Sequence, residues 1–246
     1  MTGDRHLDWD GCFNVRDLGG VPTEDGRATR RGAVVRADSL DRLTEDGWRA
    51  LYAYGIRTVV DLRNPEERGP DRGRRPDGVT TVHVPIDDTA DTALWTHLWD
   101  EGLDGTPLYY RPFLDRKPER CAAAADAVAR ARPGGVAVHC GLGRDRTGLV
   151  ALLLLALAGA TAEGIAEDCD LSGERVPYVF AALGRPDDAA DVRAALARRG
   201  ATVRSAVLDA LAGLDVEARL RAAGLSGEGV AALRKRLAPP SDAPPC

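Results

Sequence analysis

Apolar and polar residues alternate in short blocks along the first two thirds of the chain. Four runs rich in β-branched residues, bounded by turn-forming residues, predict strands at 33–36, 58–62, 80–84 and 136–139. Segments with helical spacing lie between them, including one that Thr44 caps and one that opens at Pro118 or Glu119. This alternation predicts an α/β fold with a largely parallel central sheet of four to five strands flanked by helices.

Beyond residue 160 the pattern is helical. The predicted helical segments are 161–169, one after Pro177, 187–199, 206–214, 216–223 and 226–237. We expect a single domain over residues 1–237, with a core at 10–170 and a helical C-terminal part at 171–237. The proline-rich residues 238–246 predict a disordered tail.

Composition narrows the possible partners. The 246 residues are 44% hydrophobic and carry a net charge of −5, which argues against a general nucleic-acid binder. The longest apolar stretch, 149–160, is too short to span a bilayer, so we expect no stable membrane insertion. The first six residues lack the apolar region of a secretory signal, and a cytoplasmic location is expected, with leaderless export left open. The oligomeric state is not fixed by the sequence.

The five cysteines are scattered and form no metal-binding pattern. No metal site and no cofactor are therefore expected, and a reducing environment fits. Either Cys12 or Cys169 pairs with Cys140 as a protective disulfide, or both are small buried apolar residues, and the second interpretation is favoured.

Residues 139–148 read His-Cys-Gly-Leu-Gly-Arg-Asp-Arg-Thr-Gly and lie between a predicted strand and the apolar run 150–158. This order predicts a strand, a tight loop and a helix, and we call residues 140–146 the anion loop. Backbone N–H groups of the loop and the positive end of the helix dipole attract a dianion such as phosphate. Glycines allow the loop backbone to turn tightly, and the arginine side chain can bind two phosphate oxygens at once. The same positive electrostatic potential favours the thiolate form of Cys140 over the thiol. The residues expected to bind a phosphoryl group are Gly141, Leu142, Gly143, Arg144, Asp145 and Arg146.

A cysteine and an arginine six residues apart are not informative by themselves. Cys169 and Arg175 have the same spacing, but no strand run precedes them and two acidic residues lie between them. The strand, the glycines and the following helix distinguish the anion loop.

The anion loop resembles the signature His-Cys-x-x-Gly-x-x-Arg-Thr-Gly of the cysteine-dependent protein tyrosine phosphatases. With Asp145 before the arginine it is most similar to the bacterial tyrosine/serine phosphatase family, whose members are linked to phosphoproteins and phosphoinositides. Residues 14–20, 31–40, 55–63 and 220–226 resemble further segments of that family in the same order. One departure is Arg144, where the family has lysine, which keeps the charge and changes its geometry.

The resemblance implies roles for the residues of this loop. Cys140 is the nucleophile that forms a phosphocysteine, and Arg146 with the loop N–H groups holds the phosphoryl oxygens. The Thr147 hydroxyl donates a hydrogen bond to the Cys140 thiolate, or it only satisfies backbone groups at the N-terminus of the helix. His139 orients the loop through hydrogen bonds and does not act as a base.

A general acid is expected in the acidic loop after the strand 80–84. Alignment of Pro85 with the family's proline places the general acid nearest Asp88, with Asp87 as the next candidate. The alternative is that these residues form a solvated acidic loop with no catalytic role. Asp145 is the third candidate, and it alternatively ties the loop to Arg16 or orients the hydrolytic water.

Charged residues at the ends of other elements complete the prediction. The resemblance implies that Arg16, Asp17, Asp61 and Arg63 support the anion loop from behind. Surface salt bridges are an equally good interpretation of these four residues.

The sequence therefore favours a metal-independent phosphomonoesterase acting on phosphotyrosine and, by extension, on phosphoserine, phosphothreonine or phosphoinositides. The expected partners are a phosphorylated protein or a phospholipid head group. A non-catalytic phosphate-binding module is the alternative, and sulfur-transfer or redox chemistry is a third.

Overall fold

A five-stranded sheet forms the centre of the computed structural model, which describes residues 5–87 and 89–238. Its strands are β1 (Arg16–Asp17), β2 (Val34–Ala37), β3 (Ile56–Asp61), β4 (Thr80–His83) and β5 (Gly135–His139). They are ordered β1-β2-β5-β3-β4, with β1 antiparallel to β2 and all other pairs parallel. The expected α/β class with a largely parallel sheet is confirmed.

The helices flank this sheet and continue past it. They are α1 (Glu45–Ala53), α2 (Thr92–Asp100), α3 (Tyr110–Arg116), α4 (Pro118–Ala129), α5 (Arg146–Leu157), α6 (Ala162–Asp170), α7 (Ser172–Ala182), α8 (Ala189–Arg198), α9 (Val203–Leu211), α10 (Val216–Ala222) and α11 (Gly227–Leu237). No helix among the described residues is long and apolar enough to cross a membrane.

Alternation along the central strands gives the sheet a core on each face. Val34, Val60 and Val136 belong to the larger core, which the C-terminal helices cover. Val35 and Val59 belong to a smaller core that contains Trp48 of α1. Both faces are covered, as a parallel sheet requires.

Helix α5 is buried on nearly all sides because ten of its twelve residues are inaccessible. It contacts the sheet at β2 and β5 and also packs against α4, α6, α10 and α11. Its N-terminus, which begins at Arg146, is thereby fixed at the carboxyl ends of the central strands.

The structure corrects several element boundaries. Helix α7 begins at Ser172 and contains Pro177, whereas the sequence predicted a helix only after that proline. Strand β1 and helices α2 and α3 were not predicted. The predicted tail lies outside the described residues except for Ala238.

Candidate active site

Cys140 follows β5, the middle strand of the five-stranded sheet, and is 2% exposed. It lies in a cleft of about 510 Å³ at the carboxyl ends of the strands. The cleft is lined by Ser39, Asp41, Arg42, Arg63, Glu67, Gly69, Cys140, Gly141, Leu142, Asp145, Arg146, Phe180, Leu183, Arg185 and Asp188. Ligands of open α/β sheets bind at this edge.

The carbonyl groups of the anion loop are tied to surrounding structure. Three consecutive carbonyls, at residues 141–143, accept hydrogen bonds from outside the loop. The donors are the Ser39 N–H at 3.1 Å, the Asn14 side-chain amide at 3.0 Å and the Arg36 guanidinium at 2.8 Å. These bonds fix the three carbonyl oxygens on partners outside the loop.

Within residues 5–87 and 89–238, no backbone N–H of residues 141–146 donates to a protein acceptor. These donors sit at the N-terminus of α5, where the helix dipole is positive. A loop of such donors before a helix N-terminus is typical of a site for a tetrahedral oxyanion.

Only one of the two loop glycines is required by the backbone. Gly143 has a φ of 68°, and a Cβ there would lie 2.6 Å from the Ala37 carbonyl oxygen. Gly141 has no positive φ, and its Cβ would meet only an Arg146 nitrogen, at 3.8 Å. The expectation that both glycines permit the curl therefore holds for Gly143 alone.

His139 immediately precedes Cys140 and is buried. Its Nδ1 is 3.3 Å from the Cys140 carbonyl oxygen, and its Nε2 is 3.7 Å from Asp61. Burial lowers the pKa of His139 to about 4, against the opposing charge of Asp61, so the ring is neutral near pH 7. This position fits an orienting role.

The Thr147 hydroxyl is buried and has no hydrogen-bond partner within the described chain. Its donation to the Cys140 thiolate therefore stays a prediction. The satisfied helix start offered as the alternative for this residue is not observed.

Arg146 projects into the cleft and is held by carboxylates. Glu67 makes a two-pronged ion pair with its guanidinium, at 2.5 and 2.7 Å. Asp87 lies 3.1 Å from the same group. Glu67 thus fixes the plane of the arginine, and the Arg146 hydrogen bond lowers the pKa of Glu67 although burial opposes it.

Asp87 is the acidic residue best placed for proton transfer. Burial raises the pKa of its carboxyl to about 6, and Glu67 and Asp145 add to the rise while Arg146 opposes it. A carboxyl that keeps its proton up to about pH 6 fits a general acid. Asp88, the first candidate from the sequence, lies outside the described residues.

The fold and this cleft agree with comparisons to known proteins. The model of a tyrosine phosphatase family matches residues 7–239. The chain belongs to this family. It is 32% identical over 204 residues to the triple specificity protein phosphatase PtpB of Mycobacterium tuberculosis, which covers 70% of this chain and 71% of that protein. It is also 32% identical to a tyrosine-protein phosphatase of Nostoc commune over 129 residues, 52% of this chain and 44% of that one.

These matches confirm the resemblance drawn from the anion loop, and the protein is a protein tyrosine phosphatase. Across the described residues, no group of histidine, cysteine, aspartate and glutamate side chains is arranged to hold a metal ion.

Arg144, the departure from the family pattern, is held by two acidic residues that line the cleft. Its guanidinium makes a two-pronged ion pair with Asp188, at 2.7 and 2.8 Å, and its Nε donates to Asp145 at 3.0 Å. The side chain therefore joins the anion loop to the start of α8. Its expected share in substrate binding is limited to its backbone N–H.

Arg63 and Asp61 are buried and support the cleft wall. Arg63 pairs with Asp61 at 2.9 Å and with Asp41 at 2.5 Å, and it donates to the Ser39 hydroxyl at 2.9 Å. Although burial works against it, Arg63 lowers the pKa of Asp61 to about 2. The surface salt-bridge interpretation is wrong for this pair, since the two residues are 4% and 2% exposed.

A buried ionic cluster lies behind the anion loop. Asp168 of α6 pairs with Arg5, Arg16 and Arg36, at 2.7, 3.1 and 2.6 Å. The three positive charges lower the pKa of Asp168 against the effect of burial. Since Arg36 donates to the Gly143 carbonyl, this cluster supports the loop from behind, as expected for Arg16.

Asp17 is not part of that support. It accepts hydrogen bonds from the N–H groups of Gly19 and Gly32 and from the Tyr54 hydroxyl, all outside the anion loop. Strand alternation explains the separation, because neighbouring residues of β1 point to opposite faces. Asp145, in turn, pairs with Arg144 and not with Arg16.

The sequence reasoning assigned no role to several residues of the site, among them Glu67, Arg36, Asp168 and Asp188. A signal existed for Asp168, a charged residue on the face of α6 that also carries the buried Ile165 and Cys169. Glu67 and Asp188 lie in exposed charged stretches with no distinguishing pattern.

The other buried cysteines are not paired. Cys12, Cys121, Cys140 and Cys169 are all free thiols. The Cys12 thiol donates to Asp38 at 2.7 Å, and burial raises its pKa well above the usual range. This agrees with the favoured interpretation of Cys12 and Cys169 as small buried residues.

Proposed function

We propose that this phosphatase transfers a phosphoryl group from substrate to Cys140 and then to water. The observation that carries the proposal is the arrangement around the Cys140 sulfur. The loop N–H groups without a protein acceptor, the N-terminus of α5 and the oriented Arg146 all belong to the segment that follows Cys140, and Cys140 and Arg146 line the same cleft. Donors fixed in this way stabilise the charge that develops on the equatorial oxygens.

In the first step the Cys140 thiolate attacks phosphorus. An S–P bond forms as the bond between phosphorus and the tyrosyl oxygen breaks, and Asp87 gives its proton to the leaving oxygen. Position and protonation both support Asp87, because it contacts Arg146 and its pKa is about 6.

In the second step water attacks the phosphocysteine. The Asp87 carboxylate takes a proton from that water, the S–P bond breaks, and inorganic phosphate leaves with the thiolate restored. The unpartnered Thr147 hydroxyl is the proposed donor to that thiolate. None of these steps requires a metal ion.

Phosphotyrosyl protein is the proposed principal substrate. The printed name of the M. tuberculosis relative, a triple specificity phosphatase, supports wider specificity. We include phosphoserine, phosphothreonine and phosphoinositide head groups for that reason. A thiolate nucleophile needs a reducing compartment, and we propose that the protein acts in the cytoplasm.

Hydrolysis of a phosphotyrosyl peptide in EDTA tests this proposal. The native chain and Cys169→Ser, which removes a buried thiol outside the cleft, should release phosphate, and Cys140→Ser should not. A parallel panel of phosphoserine peptides and phosphoinositides ranks the substrates. If the native chain binds phosphate but releases none from any substrate, the protein is a non-catalytic phosphate-binding module and not an enzyme.

A further inference from the structure

A second cavity, of about 330 Å³, adjoins the active-site cleft. It is lined by Asp87, Thr89, Thr92, Trp95, Thr96 and Trp99. Asp87 also lies 3.1 Å from Arg146, which lines the cleft around Cys140. The proposed general acid therefore stands between the two cavities, and a substrate bound over Cys140 passes close to both.

Helix α2 presents two different faces. Leu94 and Leu98 are buried in the main core. Thr92, Trp95, Thr96 and Trp99 follow the spacing i, i+3, i+4, i+7 and form one stripe along the cavity wall. This stripe contains no charged residue, although 29% of the chain is charged.

The two tryptophans are supported to different degrees. Trp95 packs on Phe113, with ring centroids 6.4 Å apart, and Trp99 stacks on Trp95 at 6.1 Å. Trp99 is 61% exposed, the largest exposure among the large hydrophobic residues described. A rigid aromatic ring left in water beside a cavity is typical of a binding residue.

The position of α2 relative to the cleft is fixed by Asp91. Its Oδ1 accepts the Leu94 N–H at 3.1 Å and caps the helix. Its Oδ2 pairs with Arg116 at 3.1 Å and with Lys117 at 2.7 Å, at the junction of α3 and α4. The tryptophan stripe is thus preorganised beside Asp87.

We propose that Trp95 and Trp99 form a subsite for an apolar side chain that flanks the phosphotyrosine of a polypeptide substrate. This inference rests on the proposed function and names a feature of its substrate. An extended polypeptide advances about 3.3 Å per residue, so residues close to the phosphotyrosine reach past Asp87. The uncharged stripe selects an aliphatic or aromatic side chain, and the exposed threonine hydroxyls offer partners to its backbone.

Peptides with leucine or glycine at each position near the phosphotyrosine test the subsite. At one position we expect kcat/KM of the native chain to be about tenfold higher with leucine, mainly through KM. Trp99→Ala should remove this preference, measured relative to p-nitrophenyl phosphate, which is too small to reach the tryptophans. Tyr178→Ala is the matched control, since Tyr178 is 58% exposed on α7 and should be dispensable.

Binding to the Cys140→Ser variant separates the subsite from catalysis. Fluorescence anisotropy should show the leucine peptide bound about tenfold more tightly than the glycine peptide, and Trp99→Ala in that background should equalise them. If native chain turns over no substrate but this affinity ratio is found, the proposed function fails and the subsite stands.

Three results would overturn the subsite. The first is equal use of leucine and glycine peptides by the native chain, and the second is a preference that survives Trp99→Ala. The third is a loss of binding to phosphatidylcholine–phosphoinositide vesicles in Trp99→Ala with the peptide preference unchanged, which would assign the tryptophans to a lipid surface.

Discussion

Asp87 shows how burial assigns a chemical role to one residue. A carboxyl at the cleft wall ordinarily ionises well below neutral pH, but burial and two nearby carboxylates raise its pKa to about 6. The neighbouring Arg146 moderates this rise without cancelling it. The sequence located the acidic loop but could not show which of its carboxyls is buried, and its first candidate, Asp88, lies outside the described residues.

Asp87→Asn should slow hydrolysis of alkyl and phenyl phosphates by roughly 10²–10⁴-fold, the usual contribution of a general acid. The effect should be much smaller for p-nitrophenyl phosphate, whose leaving group needs little protonation. In the native chain, kcat for the poor leaving groups should fall as pH rises through about 6, because the acid loses its proton. This fall, the descending limb of the pH–rate profile, should be absent from Asp87→Asn.

Asp145→Asn is the comparison for that measurement. Asp145 also lines the cleft but is paired with Arg144. If Asp145→Asn abolishes the descending limb and Asp87→Asn keeps it, the acid is Asp145.

The anion loop is an element whose shape is imposed from outside. Its carbonyls are held by Asn14, which precedes β1, and by Arg36 and Ser39, in and just after β2. The sequence predicted the loop, the preceding strand and the following helix, since glycines and apolar runs are local signals. It did not predict these donors, because long-range pairing leaves no local pattern.

Replacement of the two loop glycines should have unequal effects. Gly143→Ala forces a Cβ against the Ala37 carbonyl at a φ of 68°, so phosphate affinity and kcat/KM should both fall by at least about tenfold, a cost of about 1.4 kcal/mol or more. Gly141→Ala has space and is the matched control. Steady-state kinetics and phosphate inhibition measure both, and equal losses in the two variants would contradict the loop geometry.

The buried ionic cluster should be a major stabilising unit. Asp168→Asn leaves three buried arginines without their shared counter-charge and should lower the free energy of unfolding by about 3–5 kcal/mol. Ser172→Ala removes only hydroxyl contacts to Arg16 and Arg36 and should cost about 1 kcal/mol. Urea unfolding compares them, and similar losses would show that the charge of Asp168 contributes little.

At the scale of the whole molecule, stability should depend on the neutral state of His139. Its pKa of about 4 in the folded protein lies below the ordinary value near 6.5, so the unfolded chain binds this proton more readily. The contribution is fully present above about pH 6.5 and is lost as pH falls towards 4. Asp87 acts in the opposite direction between about pH 4 and 6, because its raised pKa makes the folded protein bind the proton.

His139→Gln isolates the histidine from that opposing effect. Between pH 6.5 and 4 the native chain should lose up to about 1.4 kcal/mol per pH unit more than the variant does. Urea unfolding at several pH values gives both slopes. Parallel slopes would mean that His139 is not held neutral by burial.

The most direct test of the mechanism is the location of the phosphoryl group during turnover. The native chain is mixed with p-nitrophenyl phosphate, quenched in acid within milliseconds and mapped by mass spectrometry. A phosphoryl group on the peptide that carries Cys140, present also in Cys169→Ser and absent from Cys140→Ser, is the predicted result. A phosphoryl group on another residue, or native turnover by Cys140→Ser, would contradict the account.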